Sequence, residues 1–324
     1  MSFASILLSI FVAAILIAAL LLALAVLRTR RIASLAEKLV PPSGKFIAID
    51  GNRIHYVETG EGRPIVFVHG LGAQLHQFRS TLFGRLDGYR LIAIDRPGSG
   101  YSERGAAATG GLSEQALVLR RFIDALGLEK PLVVGHSLGG AVALTLAIEH
   151  SEVISGLALL APYTYHSGAI APEFAALYIP SPVKRRLIAE TVAVPAARKH
   201  ADQTLAFVFG PQPAPADYMT EGGGWAGLRP SHFYATSTDI VAIGNDYPRL
   251  QKRFGEIKVP VGILFGTADR VLDYQKHGVE MVGRIPDLDL ELAEGIGHMP
   301  QFSATEQTVA FIKRMAERAF GDQA

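Results

Sequence analysis

Leu132-Val133-Val134-Gly135-His136-Ser137-Leu138-Gly139-Gly140 is the stretch on which the reading of the fold turns. Its first three residues, two of them β-branched, read as a buried strand, and Ala141 to Ala147 read as a helix. Between them Gly-His-Ser-Leu-Gly makes a sharp turn that presents a serine. That strand–turn–helix setting is what gives a G-x-S-x-G match chemical meaning as a nucleophile elbow. Gly135 and Gly139 let the strand and helix backbones approach closely around a strained Ser137, where side chains would collide.

Strands and helices alternate around this turn. Pro64–His69, Tyr89–Asp95, Pro131–Gly135 and Ile154–Ala161 read as strands, and Ser113–Leu126 and Leu138–His150 as helices. The pattern resumes with strand Val259–Gly266, helix Gln275–Gly283, strand Asp287–Leu292 and helix Ala304–Phe320. Such alternation predicts an α/β fold with a mostly parallel sheet covered by helices on both faces. Phe46–Asp50 and Arg53–Glu58 precede it as a hairpin turning at Asp50-Gly51-Asn52. From Pro162 to Lys258 no strand pattern appears. Helical pieces near Pro182–Glu190, Ala197–Phe209 and Ser231–Ile243 predict an inserted helical cap, with Gly222-Gly223-Gly224 as a mobile loop.

At the N-terminus, Phe3 to Leu27 carries no charge and exceeds the roughly 20 apolar residues a helix needs to cross a bilayer. A cleaved signal peptide is the rival: Ala23-Leu24-Ala25 resembles a cleavage site, but a basic leader and a short apolar core are both missing. Arg28, Arg30 and Arg31 follow at once, which by the positive-inside rule puts the remaining chain in the cytoplasm. The expected organisation is a transmembrane anchor with basic flank over 1–31 and a linker over 32–45. An α/β core over 46–161, the cap over 162–258 and the second part of the core over 259–324 complete it. Within the linker, Ile32–Val40 suits a short amphipathic helix, ended by Pro41-Pro42-Ser43-Gly44.

Composition narrows the function classes. The 324 residues are 49% hydrophobic and 19% charged with a formal net charge of +1, so there is no basic footprint for nucleic acid. Without cysteine there is no thiolate nucleophile, disulfide or Cys-ligated metal. His69, His76 and His136 have no helical H-x-x-x-H pair behind them, so neither a metal nor another cofactor is expected.

A serine hydroxyl needs a base, and the base needs an acid to orient it. Strand Val261–Gly266 runs into Thr267-Ala268-Asp269-Arg270, which puts Asp269 just past a strand end. His298 follows the next strand in Gly295-Ile296-Gly297-His298. The order Ser137, Asp269, His298 is the one this mechanism uses on an α/β sheet. Asp273, Glu291 and Glu294 are the competing acids. An oxyanion hole requires two backbone N–H groups. Leu138, behind the nucleophile, is one candidate, and Leu71 in His69-Gly70-Leu71-Gly72 is the other, with Gly72 second. Asp95-Arg96-Pro97-Gly98-Ser99-Gly100 reads as a structural turn and lacks the Lys-Ser/Thr of a phosphate loop.

Together these motifs resemble the α/β-hydrolase superfamily from about Phe46 to Phe320. The Gly-His-Ser-Leu-Gly-Gly form is similar to serine esterases and monoacylglycerol-lipase-like enzymes, some of which carry an N-terminal membrane segment. Haloalkane dehalogenases and epoxide hydrolases carry Asp where this chain has Ser137. The resemblance implies a cofactor-free serine hydrolase acting on a small-molecule ester; the apolar N-terminal stretch makes it membrane-anchored with the bilayer as partner, and anchor and apolar cap together point to apolar or lipid-derived acids. Hydrolysis of a C–C bond or a lactone on the same residues is one alternative. A ligand-binding protein with slow or no turnover is another.

Overall fold

A computed structural model describes residues 2–170 and 172–321. Eight strands form one sheet: β1 (Lys45–Ile49), β2 (Asn52–Thr59), β3 (Arg63–Val68), β4 (Tyr89–Ile94), β5 (Leu132–His136), β6 (Gly156–Leu160), β7 (Val261–Gly266) and β8 (Asp289–Ala293). Their spatial order is β1-β2-β4-β3-β5-β6-β7-β8. β1 and β2 form a hairpin, β2 joins β4 antiparallel, and every later pairing is parallel. The hairpin closes through Asp50 and Gly51, both at positive φ (49° and 77°), which keeps the strands' twist across a two-residue turn.

The central strands are apolar on both faces because both faces are covered. Along β3, Val66 and Val68 enter the core shared with helices Leu112–Ala125 and Leu138–Glu149. Ile65 and Phe67 enter the opposite core with Phe78 and helix Thr305–Phe320. The chain leaves β3 for β4 on one side, and β5 lies on the other. The sheet's direction of winding therefore reverses there, and the loops beyond the carboxyl ends of β3 and β5 part to leave a crevice.

The helix expected over 275–283 is broken. Asp273 caps a single turn, Tyr274–His277, and Gly278 leads into a second short turn, Val279–Met281. A Cβ at Gly278 would lie 2.8 Å from the Tyr274 carbonyl, so the site suits glycine alone. Between β6 and β7 the described residues hold helices and no strand: Pro182–Ile188, a wider turn over Ala189–Ala193, Val194–Lys199, Ala201–Phe209 and Pro230–Leu250. Gly222-Gly223-Gly224 is packed rather than loose. The Gly222 carbonyl accepts from Gln74 Nε2 (2.7 Å), and a Cβ on Gly223 would strike that amide.

At the N-terminus one helix runs unbroken from Phe3 to Leu39, so the helix expected over Ile32–Val40 is present but continuous with the apolar span. Ile32–Leu39 contains no Gly or Pro to stop the helix, and Ala36 is packed against Val194 and Leu228 of the cap. It is the one helix among the described residues long and apolar enough to cross a membrane, and no residue of its most apolar window is buried.

Packing under the elbow leaves no room for side chains. A Cβ at Gly139 would sit 2.1 Å from the Val68 carbonyl oxygen, and one at Gly135 would sit 2.7 Å from that of Gly139. Gly139→Ala is expected to cost about 3 kcal/mol or more, because backbone must move on both sides. Gly84→Ala, at an exposed site with open space, should stay within about 1 kcal/mol. Urea unfolding of the two variants in detergent checks the contrast.

Candidate active site

Each site residue leaves the carboxyl end of a parallel strand. Ser137 follows β5 at φ 52° and ψ −119°, a conformation that L-residues avoid. It is held there by its neighbours: its N–H donates to the Leu160 carbonyl (3.0 Å), and its carbonyl accepts from Gly140 and Tyr163 (2.9 and 3.0 Å). The helix that starts at Leu138 provides no acceptor for the Leu138 N–H, which is one of the open donors of its first turn.

Asp269 follows β7 with its carboxylate shut away from solvent. One oxygen accepts from the Val271 and Leu272 N–H groups (2.7 and 2.9 Å). The other accepts from His298 Nδ1 at 2.7 Å. A carboxylate only accepts, so Nδ1 carries the proton and Nε2 is left as a base. The competing acids are occupied elsewhere: Asp273 caps its helical turn, Glu291 pairs with Arg314, and Glu294 is exposed. The loops carrying acid and histidine are laced together by Ala268 N–H to the Ile296 carbonyl (2.9 Å). Gly266 makes this possible, since a Cβ there would lie 2.2 Å from that carbonyl.

His136 joins elbow and histidine loop. Its Nε2–H donates to the His298 carbonyl (2.9 Å), Gln77 Nε2 lies 3.4 Å from its Nδ1, and its ring sits 4.9 Å from that of His298. Burial, with His298 nearby, pushes its pKa down to about 3. From the cap, Gln212 brackets the same loop, donating to the Gly295 carbonyl (2.8 Å) and accepting from the Gly297 N–H (2.9 Å).

The His69-Gly70-Leu71-Gly72 loop crosses directly over the elbow: a Cβ at Gly70 would lie 3.0 Å from that of Ser137. Arg96, fully buried, grips this loop by donating to the His69 and Gly70 carbonyls (both 2.9 Å). Arg96 in turn pairs at 2.6 Å with Asp239 of cap helix Pro230–Leu250, and Asp239 also pairs with Arg104. Two turns earlier on that helix, His232 Nε2–H donates to the Gly72 carbonyl (3.0 Å), while its Nδ1 accepts from the Gly100 N–H (3.0 Å). Arg96, His232, Asp239, Gln77 and Gln212 escaped the sequence reading as site supports. Only Arg96 lay within a recognised motif, and a cap residue's partner on the core is set by docking alone.

His69 is equally occupied. Its Nδ1 lies 2.8 Å from the Gly70 carbonyl and its Nε2 accepts from the Arg96 N–H (2.9 Å). Neither it nor His136 has a ring nitrogen spare for a metal. Of the aromatic residues in the cap, Phe209 is buried against Tyr218 and Phe302, and Trp225 packs toward the N-terminal helix beside Ala36 and Val40.

A family model described as alpha/beta hydrolase fold matches residues 63–305. Over 272 residues the chain is 27% identical to 2-hydroxy-6-oxo-6-phenylhexa-2,4-dienoate hydrolase of Burkholderia cepacia, covering 80% of this chain and 91% of that protein. A shorter match, 37% identical over 119 residues, is to the dihydrolipoyllysine-residue acetyltransferase component of the acetoin cleaving system of Cupriavidus necator. It spans 36% of this chain and 32% of that protein. Among solved structures, a bacterial membrane phospholipase A superposes with a TM-score of 0.69 at 22% identity, over 98% of this chain and all of that one, which is a likeness of fold.

The buried ionisable groups set how the fold responds to mutation and to pH. Asp239→Asn leaves Arg96 and Arg104 without their counter-ion and should destabilise the protein by about 3–5 kcal/mol in chemical unfolding. Burial holds His69 and His136 at about 3 and His277 at about 4, so all three stay neutral in the folded chain. The unfolded chain takes up protons below its ordinary histidine pKa of about 6.5, so the stability these three contribute is full above that pH and lost progressively on acidification. Between pH 6 and pH 5 the loss should approach about 1.4 kcal/mol per histidine. Unfolding curves that did not shift across that range would contradict the neutral assignments.

Proposed function

This chain belongs to the alpha/beta hydrolase fold family, and on that basis we propose that it is a membrane-anchored serine hydrolase cleaving carboxylic esters of apolar or lipid-derived acids. The observation that carries this reading is the 2.7 Å contact of His298 Nδ1 with the buried Asp269 carboxylate, in a loop tied through His136 to the strained Ser137. Ser137 Oγ attacks the ester carbonyl as His298 Nε2 takes its proton, and Asp269 orients the imidazole and stabilises its cation. The Leu71 and Leu138 N–H groups receive the oxyanion. Collapse expels the alcohol with the proton from His298 and leaves an acyl-Ser137. His298 then draws a proton from water, the acyl group is hydrolysed, and the free serine returns. Arg96, pinned by Asp239, and His232 hold the Leu71 loop in register for the oxyanion by occupying the carbonyls on either side of it.

The apolar stretch Phe3–Leu27 supports anchoring, and Arg28, Arg30 and Arg31 support a cytoplasmic catalytic domain. A second reading keeps the same three residues and cleaves a C–C bond or a lactone. It is favoured by the likeness, over most of both chains, to a hydrolase of 2-hydroxy-6-oxo-6-phenylhexa-2,4-dienoate.

The detergent-solubilised protein should label with a fluorophosphonate and hydrolyse p-nitrophenyl esters with a preference for longer acyl chains. Ser137→Ala and His298→Ala should each lose labelling, and kcat should fall by about 10⁴-fold or more. A folded wild-type chain that neither labels nor turns over would refute the serine-hydrolase reading. Turnover of a vinylogous 1,5-diketone in preference to every ester would move the assignment to the C–C reading.

A further inference from the structure

We infer that the cap segment Pro182–Ala193 is a second membrane-contacting element, seated in the headgroup layer of an anionic bilayer beside the anchor. The inference rests on the anchor reading and adds to it a surface and its lipid class. The anchor helix serves as a depth gauge because it is continuous from its apolar part into the cap. Thr29, two residues past the last apolar position of Phe3–Leu27, is fully buried and donates to the Thr191 carbonyl (2.5 Å). Ala36, about 10 Å further along the axis, packs on Val194 and Leu228. Val40 then meets Tyr101 and Ala226. Thus Thr191 stands nearer the apolar span than Val194 does. The segment's C-terminal end, at Thr191, therefore meets the anchor where the span gives way to Arg28, Arg30 and Arg31.

What that helix shows to solvent suits the place. Val183, Leu187 and Val192 are 79%, 54% and 55% exposed, on a segment whose other face buries Arg185, Ala189, Thr191 and Ala193. Lys184 and Arg186 are exposed among them, and Arg198 and Lys199 follow, with Glu190 the acid in the segment and 3.9 Å from Arg186. Arg185 turns inward instead, donating to the Ile179 carbonyl and to Thr238 Oγ1. Apolar side chains with a basic surround are the pattern of a helix lying in the plane of an anionic membrane surface, with the long basic stems reaching to phosphate.

The chain has no cysteine, so single cysteines report from chosen sites. Leu187→Cys and Val183→Cys would be labelled with an environment-sensitive nitrobenzoxadiazole in the full chain. Leu16→Cys in the span and Glu129→Cys at the opposite end of the sheet serve as references. Each would be placed in phosphatidylcholine–phosphatidylglycerol nanodiscs with nitroxides at the headgroup or along the acyl chain. The expected result is roughly two-fold or greater quenching at 183 and 187 by headgroup nitroxide, weaker quenching by deep nitroxide, and none at 129. Quenching at Leu16→Cys without quenching at 183 or 187 would overturn the cap surface and leave the anchor standing. No quenching at Leu16→Cys would overturn the anchor reading and this inference with it. Blue-shifted emission at 187 that ignores both nitroxides would mean that a second copy of the chain covers the face, and would equally overturn it. Quenching that is unchanged in phosphatidylcholine alone would overturn the anionic-lipid assignment.

Discussion

The contact on which the rest depends is backbone against backbone at the elbow. Gly139 brings the helix behind Ser137 within van der Waals reach of the Val68 and His69 carbonyls, at a distance no side chain tolerates. That approach locks β3, β5 and the elbow helix into one unit. It also leaves Ser137 at a positive φ that would relax if any of the three moved. Ten consecutive buried residues, Leu138 to Ala147, keep the helix in place, so the strain at one residue is opposed by a whole buried element.

Around that unit the polar groups form two braces. One runs from His136 and Gln212 to the loop of His298, so that loop is held from both core and cap. The other runs from Asp239 through Arg96, with His232 alongside, to the loop crossing over Ser137. A buried arginine is expensive to desolvate and persists here because two carbonyls, Gln115 and a carboxylate answer its donors. The outcome is mechanical. Cap helix Pro230–Leu250 cannot shift without disturbing the carbonyls on either side of Leu71.

The N-terminal helix extends the same logic outward. Thr29, Ala36 and Val40 dock it on the cap, and Arg229 reaches Glu37 across the joint. N-terminal helix, cap and the loop of Leu71 are therefore linked in series, each through buried contacts rather than through exposed ion pairs alone. Whatever orients the N-terminal helix also orients the cap.

Much of this was legible in the chain itself, because local rules govern it. Alternating buried strands and amphipathic helices specify a covered parallel sheet. Glycines flanking a serine specify a turn too tight for side chains, and post-strand loops specify where Asp269 and His298 leave the sheet. The uninterrupted apolarity of Phe3–Leu27 likewise follows from composition. Tertiary structure alone decided the rest. Asp239 and His232 find Arg96 and Gly72 across more than a hundred residues, and no local pattern encodes a partner that exists only after the cap has docked. The helix over Ile32–Leu39 continued for the same reason: its sequence permits a helix, and packing against Val194 and Leu228 makes it one. Periodicity, glycine sterics and strand-end placement act between near neighbours and so are written in order along the chain. Long-range pairing of buried charges depends on which surfaces meet, and that is determined only when the whole chain has folded.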